Sequence, residues 1–295
     1  MVALVKLAEV TRDGAYLEPQ SGALVDTNSD EWEKQLYDLC RLYEIPIQNI
    51  AQIILDPKVL PMIRGKAFEY SVADRLRITL PATVWSVSQP RMNAQSGQHD
   101  VDLKVVHLPT NRHISIECKM SDKGSFRIGN GKSASARVKC MRSRTLGSAK
   151  VIQRSAELGI AENKLSAHSD SYTDSEFDFV ASSLSNAFYD TDKTTLNYFW
   201  HASAEEQLSI SNIAKNHFAE PKQISSEFIF LAKAKDLTPL RSGVPCTRKK
   251  CPDKLKCQFI PNFPYVNFQN ATYTIQNPWF EVSEIERRFS EFLSL

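Results

Sequence analysis

The chain has 295 residues, of which 42% are hydrophobic and 24% charged, and its formal net charge is +2. This length is sufficient for one large hydrophobic core, and the charged fraction is that of an ordinary globular protein. No apolar run is long enough to span a membrane, and the start, interrupted by Lys6 and Glu9, lacks the continuous apolar core of a secretory signal. We therefore expect a cytoplasmic protein whose six cysteines are reduced thiols rather than a disulfide scaffold.

The hydrophobic pattern predicts a single α/β domain over residues 1–295. Its N-terminal part (about 29–80) is helical, a core follows (about 81–235), and a cysteine-containing subregion ends the chain (about 236–295). Residues 29–55 have helical spacing interrupted at Pro46, and residues 64–76 carry an apolar stripe with Glu69 beside it. Short apolar runs at 84–87, 177–180 and 228–231 predict strands of a mixed β-sheet flanked by helices.

Two runs of alternating apolar and polar residues, at 100–105 and 113–119, predict two half-buried strands. Residues 108–111 between them, Leu-Pro-Thr-Asn, have the composition of a type I turn and predict a four-residue hairpin loop. This register places Asp102 opposite Glu117 on one face, and Lys119 stays on that face.

Paired carboxylates on neighbouring strands, about 4.8 Å apart, can share a hard cation whose oxygen ligands lie about 2.1 Å away. Hydrolysis of a phosphodiester requires a nucleophilic water and neutralisation of the developing negative charge, and Mg²⁺ held by carboxylates supplies both. The alternative is an ordinary solvated hairpin face in which Lys119 is only an ion-pair partner of Glu117.

The stretch resembles the motif of the PD-(D/E)XK nuclease superfamily, with Asp102 as its first acid and Glu117-Cys118-Lys119 as its E-x-K tripeptide. Val101 stands where the motif has proline, and Asp100 is a competing first acid, but opposition across the turn favours Asp102. The resemblance implies a restriction-endonuclease-like core, Mg²⁺ bound by Asp102 and Glu117, and a Lys119 that orients or helps to deprotonate the attacking water. It also implies an acid on a helix before the hairpin. Glu69 fits that role, and otherwise it is a plain surface glutamate.

A basic strip, residues 119–154, contains ten Lys and Arg residues and one acid, Asp122. Such a strip predicts a surface that contacts DNA phosphates, although a solvated basic face would have the same composition. Its Gly- and Ser-rich residues 121–136 predict a mobile loop, and residues 148–158 predict a helix ended by Gly159. The predicted DNA-binding residues are Lys123, Arg127, Lys132, Arg137, Lys139, Arg142, Arg144, Lys150 and Arg154. Gly129-Asn-Gly-Lys-Ser133 is similar to the end of a phosphate-binding loop, but Phe126 stands where the first glycine is required, which argues against ATP binding.

Three cysteines, Cys246, Cys251 and Cys257, lie within twelve residues of a Pro-containing loop that could fold around a metal. A fourth ligand is missing locally, and Cys40, Cys140 or a distant histidine could supply it. The metal would be a structural Zn²⁺ or, by a weaker similarity to iron–sulfur-bearing RecB-like nucleases, an iron–sulfur cluster. The loop is also basic and would suit a DNA contact without any metal. The Ser-rich, acidic residues 168–176 are interpreted as a surface connection.

These features together predict a type II restriction-endonuclease-like enzyme that cuts double-stranded DNA at a short sequence in the presence of Mg²⁺. We expect it to be a homodimer because a two-fold protein reads a two-fold site. Two alternatives stay open: a repair, recombination or defence nuclease with structure rather than sequence specificity, and a non-catalytic DNA-binding protein on a nuclease scaffold. The intact Asp, Glu and Lys set argues against the second alternative.

Overall fold

The computed structural model describes residues 15–17, 24–26, 29–90, 101–129, 133–213, 220–269 and 273–294. Asp100, Lys132 and the predicted polar loop at 91–98 lie outside these residues. The chain divides into two compact units, Met1–Arg64 and Gly65–Leu295.

The first unit contains a small antiparallel β-hairpin and short helices. Its elements are β1 (Ala15–Leu17), β2 (Leu24–Asp26), α1 (Ser29–Leu42), a 3₁₀ turn (Ile47–Asn49) and α2 (Ile50–Leu55). The predicted helical region is confirmed, and its interruption falls at Pro46 because proline has no N–H to donate and disfavours helical backbone at the preceding residue. Helix α3 (Leu60–Thr79) begins in this unit and continues into the second.

The second unit combines helices with strands, most of which belong to two larger sheets. Its strands are β3 (Trp85–Ser88), β4 (Leu103–His107), β5 (Arg112–Cys118), β6 (Arg127–Ile128), β7 (Ala134–Arg137), β8 (Phe179–Ser183), β9 (Tyr189–Thr191), β10 (Tyr198–Trp200), β11 (Ile229–Lys233), β12 (Tyr265–Gln269), β13 (Thr274–Ile275) and β14 (Trp279–Glu281). Its further helices are α4 (Ser148–Leu158), α5 (Glu162–Ala167), α6 (Ala204–Ile213), α7 (Pro221–Glu227), α8 (Pro239–Ser242) and α9 (Ile285–Leu293). None of the helices in the described residues is long and apolar enough to cross a membrane.

The central sheet has six strands in the order β14-β11-β8-β5-β4-β3. Strands β5 and β8 are parallel, and every other neighbouring pair is antiparallel. The predicted mixed α/β fold is therefore confirmed. The strands predicted at 84–87, 177–180 and 228–231 are present as β3, β8 and β11, with their boundaries shifted by one to three residues.

Both faces of the central sheet are covered. On one face Phe179 and Ala181 of β8 join a buried cluster with α3 and α9 residues, including Leu76 and Phe289. On the other face Val180 joins a cluster with residues of β7 and β12, which belong to a second, four-stranded sheet ordered β13-β12-β7-β6. Neighbouring side chains of β8 thus serve opposite cores, as the two-residue period of a strand requires.

The predicted β4–β5 hairpin is confirmed in its turn and register, but β4 begins at Leu103, so residues 101–102 of the predicted strand precede it. Leu103 lies opposite Ile116 and His107 opposite Arg112, and residues 108–111 form the connecting turn. Asn111 has a φ of 55°, a left-handed conformation that asparagine tolerates better than most residues. Helix α4 also ends where predicted, because Gly159 adopts a φ of 63°.

Two sequence interpretations of surface segments were wrong. Residues 121–136 are not simply a loop, since β6 and part of β7 lie there and Ala134 and Ala136 are buried against β12. Residues 168–176 are not a surface connection, since His168, Ser171, Tyr172 and Thr173 are buried. In both segments small or polar side chains are buried because they pack against backbone, or form hydrogen bonds, contributed by residues distant in sequence. The hydrophobic pattern of the sequence does not reveal such partners.

Replacement of Phe179 tests the core beneath the site. Its side chain is fully buried, and its ring lies 5.0 Å from that of Phe289 and 5.2 Å from that of Phe292. Phe179→Ala should lower the free energy of unfolding by about 3–5 kcal/mol, measured by urea denaturation. The control Ile152→Ala, at a position 56% exposed on α4, should change it by no more than about 0.5 kcal/mol. Equal losses for the two variants would contradict this assignment of the core.

Candidate active site and candidate metal centre

The two predicted acids lie side by side where β4 begins and β5 ends. Asp102 directly precedes β4, and its Oδ2 accepts a hydrogen bond of 2.7 Å from the backbone N–H of Cys118. Because Leu103 pairs with Ile116, Asp102 is opposite Glu117. Asp102 thus lies one residue beyond the paired ladder, close enough to Glu117 for the two carboxylates to repel each other, and the bond to Cys118 holds the Asp102 carboxylate at the end of β5.

Glu117 is buried, with 4% of its surface exposed, which argues against the alternative of a solvated hairpin face. Its Oε1 accepts a 2.6 Å contact from Lys119 Nζ and a 3.0 Å hydrogen bond from the Tyr172 hydroxyl. Its Oε2 is also buried and has no hydrogen-bond partner within the described part of the chain. A buried carboxylate oxygen without a donor costs free energy, and a cation bound at that oxygen would offset the cost.

Burial and charge shift the ionisation of this group of side chains. Burial and the neighbouring carboxylates of Glu117 and Glu69 raise the pKa of Asp102 to about 7, against the opposing effect of Lys119. Burial by itself would lower the pKa of Lys119, but Glu117, Tyr172 and Asp102 together raise that pKa well above its usual range. Lys119 is therefore a cation in this arrangement, and Asp102 is the acid most ready to carry a proton.

Glu69 lies on α3, on the same helix as the buried stripe of Phe68, Val72 and Leu76. Its side chain is 16% exposed and forms an ion pair with Lys66. Although Glu69 contributes to the raised pKa of Asp102, no hydrogen bond joins it to Asp102 or Glu117 in the described structure. It is thus a neighbour of the two acids rather than a fully exposed surface glutamate.

Tyr172 is a site residue that sequence reasoning missed. Besides its bond to Glu117, its ring has Lys119 Nζ at 5.2 Å and the Arg142 guanidinium carbon at 4.7 Å from its centroid, both cation–π distances. It lies in the 168–176 segment, 55 residues beyond Glu117, so no local spacing connects the two.

Two arginines of the basic strip are engaged with a buried acid that sequence reasoning also missed. The Glu176 side chain is 2% exposed and accepts bonds from Arg142 at 2.5 Å and from Arg154 at 2.6 Å. The backbone N–H of Thr173 donates to the same carboxylate at 2.8 Å. Arg142 and Arg154 therefore neutralise the buried negative charge of Glu176. Removal of Glu176 would leave both guanidinium groups without their carboxylate partner.

The other basic residues of the strip differ in how free they are. Lys123 pairs with Asp190 at 3.4 Å, Arg137 pairs with Asp122 at 2.6 Å, and Arg127 donates to the carbonyl of Gly124 at 2.9 Å. Lys150 is exposed and bonds to Gln153. Lys139 and Arg144 are exposed and have no ion pair within the described residues. These last two are the side chains best placed by exposure to meet an external anion.

The three cysteines of the C-terminal loop converge with a histidine. Ligand atoms of His168, Cys246, Cys251 and Cys257 all lie within 4.8 Å of one another, a His/Cys₃ cluster that could bind a metal such as zinc. The predicted thiols are thus brought together, and the fourth member of the cluster is His168 rather than Cys40 or Cys140. His168 Nε2 is 3.3 Å from Cys246 Sγ and 3.5 Å from Cys257 Sγ.

The sequence allowed a distant histidine as the fourth ligand but could not single out His168, because 78 residues separate it from Cys246. It directly follows α5, and its Nδ1 lies 2.8 Å from the carbonyl of Lys164, so Nδ1 carries the proton and Nε2 presents its lone pair to the thiols. Its ring stacks on Phe259 at 4.2 Å. In the absence of a cation, burial and the neighbouring thiols raise the pKa of Cys257 to about 12.

Comparisons with protein-family models, curated proteins and solved structures found no match for this chain.

The raised pKa of Asp102 gives a pH dependence of stability. A carboxyl with a pKa near 7 when folded and near 4 when unfolded binds more protons in the folded state between these values, so the free energy of unfolding falls as pH rises through this window. Asp102→Asn removes this dependence. Relative to wild type, the variant should gain up to about 1.4 kcal/mol for each pH unit between about pH 4 and pH 7, measured by urea denaturation across a pH series. Parallel pH profiles for the two proteins would contradict the burial of this acid beside Glu117.

Proposed function

We propose that this chain is a Mg²⁺-dependent endonuclease that hydrolyses phosphodiester bonds of double-stranded DNA at a short specific sequence. The observation that carries the proposal is the convergence of Asp102, Glu117 and Lys119 at one end of the β4–β5 hairpin, where Glu117 Oε2 is buried and has no hydrogen-bond partner among the residues that the structure describes. This is the Asp, Glu and Lys set of the PD-(D/E)XK motif. On the same basis we assign the six-stranded sheet to a restriction-endonuclease-like core, and Glu69 on α3 supplies the helix-borne acid that such a core implies.

The donor set fits Mg²⁺. Oxygen ligands suit a hard cation, and carboxylates are offered by Asp102, directly before β4, and by Glu117 on the adjacent strand β5. Their mutual repulsion is part of what raises the pKa of Asp102, and a divalent cation between them would relieve it. Asp102 and Glu117 would hold the ion, with Glu69 as an outer acid.

When bound, Mg²⁺ supplies Lewis acidity to the phosphate and lowers the pKa of a water. Side chains of the protein would position the reacting groups around this ion. Lys119 and Tyr172 engage Glu117 Oε1 and leave Oε2 for the cation. Lys119, paired with Glu117, is placed to orient the attacking water and to donate to the developing negative charge.

DNA would contact the basic strip through its free members. Lys139 and Arg144 are exposed and unpaired in the described structure, whereas Arg142 and Arg154 are bound to Glu176. The proposed phosphate contacts therefore centre on Lys139 and Arg144, with Lys123, Arg127, Arg137 and Lys150 available where DNA competes for their present partners. Arg142 and Arg154 stabilise this surface through their ion pairs with Glu176.

A homodimer is the proposed active form, because a two-fold protein matches a two-fold DNA site. The first unit exposes an apolar stripe that supports such a contact. Trp32, Leu39 and Leu42 of α1 are 42%, 46% and 72% exposed, and their spacing places them along one side of the helix. Apolar surface of this kind is typical of an interface.

Cleavage tests the proposal directly. Plasmid and phage DNA incubated with Mg²⁺ should give discrete, reproducible bands, and chelation should abolish them. Asp102→Asn, Glu117→Gln and Lys119→Ala should each lower the single-turnover cleavage rate by at least about 100-fold, because each removes a group that binds the cation or stabilises the transition state. Isosteric replacements are preferred at the acids because Glu117 is buried.

The matched control is Lys104→Ala, since this exposed lysine lies on β4 close to the acids in sequence but outside the proposed set. It should cut at the wild-type rate. A smear of products would favour structure-specific cleavage, and binding without scission would favour the non-catalytic alternative. Wild-type cleavage by a folded Lys119→Ala variant would show that the E-x-K assignment is wrong.

Binding across a salt series tests the DNA surface. Each neutralised phosphate releases counterions, so the slope of log affinity against log salt changes by about 0.9 per contact. The double variant Lys139→Ala/Arg144→Ala should bind more weakly and lose up to about two units of slope. The control Lys34→Ala/Lys58→Ala, which makes the same charge change at exposed positions of the first unit, should keep the wild-type slope. Identical slopes for both double variants would show that Lys139 and Arg144 do not belong to the DNA-binding surface.

A further inference from the structure

We propose that His168, Cys246, Cys251 and Cys257 bind one Zn²⁺ ion as a structural cross-link, and that this cross-link keeps the 168–176 segment, with Tyr172 and Glu176, against the end of β5. The proposal concerns folding and does not depend on the proposed cleavage of DNA.

The spacing of the four ligand atoms matches a single tetrahedral ion. Zinc–sulfur and zinc–nitrogen distances of about 2.3 and 2.1 Å at tetrahedral angles require ligand atoms about 3.6–3.8 Å apart. His168 Nε2 lies 3.3 Å from Cys246 Sγ and 3.5 Å from Cys257 Sγ, and all four ligand atoms lie within 4.8 Å of one another. Movements of a few tenths of an ångström to about 1 Å would complete the coordination. An iron–sulfur cluster occupies the space between its ligands, so it would require these four atoms to move apart.

The donor set and its surroundings favour zinc over other ions. Three thiols and one imidazole form a closed Cys₃His set, which is typical of structural zinc and leaves no position for a substrate. The bond from His168 Nδ1 to the Lys164 carbonyl and the stacking on Phe259 orient the imidazole before any metal arrives. The backbone N–H of Cys246 bonds to the carbonyl of Lys254, which closes the loop that carries the cysteines.

The cluster joins two segments that also meet beside it. The backbone N–H of Ile260 donates to the carbonyl of Tyr172 at 2.8 Å, and Thr173 forms an antiparallel bridge with Phe259. Asp170 accepts bonds from Arg248 at 2.5 Å and from Asn262 at 2.8 Å. A metal bound by His168 would therefore link the start of the 168–176 segment to the cysteine-containing segment. The residues that contact the candidate active site follow directly.

The far side of the segment contacts the catalytic candidates. Tyr172 donates to Glu117, and Glu176 binds Arg142 and Arg154. Without the cross-link, the segment between α5 and β8 would be held by hydrogen bonds and side-chain packing alone, including the bonds from the backbone N–H groups of Arg142 and Leu146 to the carbonyls of Asp170 and Ser169. Since metal binding to such sites is coupled to folding, loss of the ion should loosen the whole segment.

Metal analysis tests the first half of the proposal. The full chain, purified with reductant from zinc-supplemented medium, should contain about one zinc per chain. His168→Ala and Cys257→Ser should lose it, whereas Cys246→His, which retains four ligands, should keep it, and the control Cys40→Ser should be unchanged. Replacement of zinc by Co²⁺ should give the visible absorption of tetrahedral thiolate coordination. A metal-free protein, bound iron, or zinc retained by His168→Ala and Cys257→Ser would overturn the site.

Hydrogen exchange tests the second half on the wild-type chain, so that a variant's failure to fold cannot confuse the result. Removal of zinc with a chelator should speed amide exchange in residues 168–176 and 246–260 by at least about tenfold, and added Zn²⁺ should restore protection. Exchange in α3, which the cluster does not touch, should stay unchanged. Unaltered exchange in 168–176 after complete zinc removal would overturn the cross-linking role, even if zinc binding itself is found.

Discussion

The pairing of β4 with β5 is the constraint on which the rest of the site depends. In the observed register, Leu103 and Ile116 enter the core beneath the sheet while Asp102 meets Glu117. A slip of one residue would turn every side chain of a strand to the opposite face, so the apolar residues would leave the core. The hydrophobic contacts that secure the sheet therefore also hold two mutually repelling carboxylates together.

That repulsion explains the groups gathered around the acids. Lys119 and the Tyr172 hydroxyl share one oxygen of Glu117, and a backbone N–H serves Asp102, but the second oxygen of Glu117 has no donor within the described chain. Stabilisation of this buried charge thus depends on the 168–176 segment, which brings in Tyr172. The same segment begins at His168 of the metal centre. One stretch of chain therefore links the two candidate sites.

The basic residues of the strip have two different roles, which cannot be distinguished from the amino-acid composition. Arg142 and Arg154 surround the buried carboxylate of Glu176, where truncating one partner would leave an uncompensated interior charge. Lys139 and Arg144 face solvent and contribute to the external potential instead. Fewer basic residues are therefore available to an anionic partner than the strip contains, because Arg142 and Arg154 are used to stabilise the fold.

The sequence by itself determined the hairpin, its turn at 108–111, the opposition of Asp102 and Glu117, and helix α4 with its end at Gly159, because each depends on residues close along the chain. It also indicated that the loop carrying the three cysteines could fold around a metal. Only the tertiary structure decided that Glu117 is buried, that Tyr172 binds it, and that His168 completes the cluster. These contacts join residues 55 to 89 positions apart, and such distances are closed by packing of the whole unit, which leaves no periodic signal in the chain.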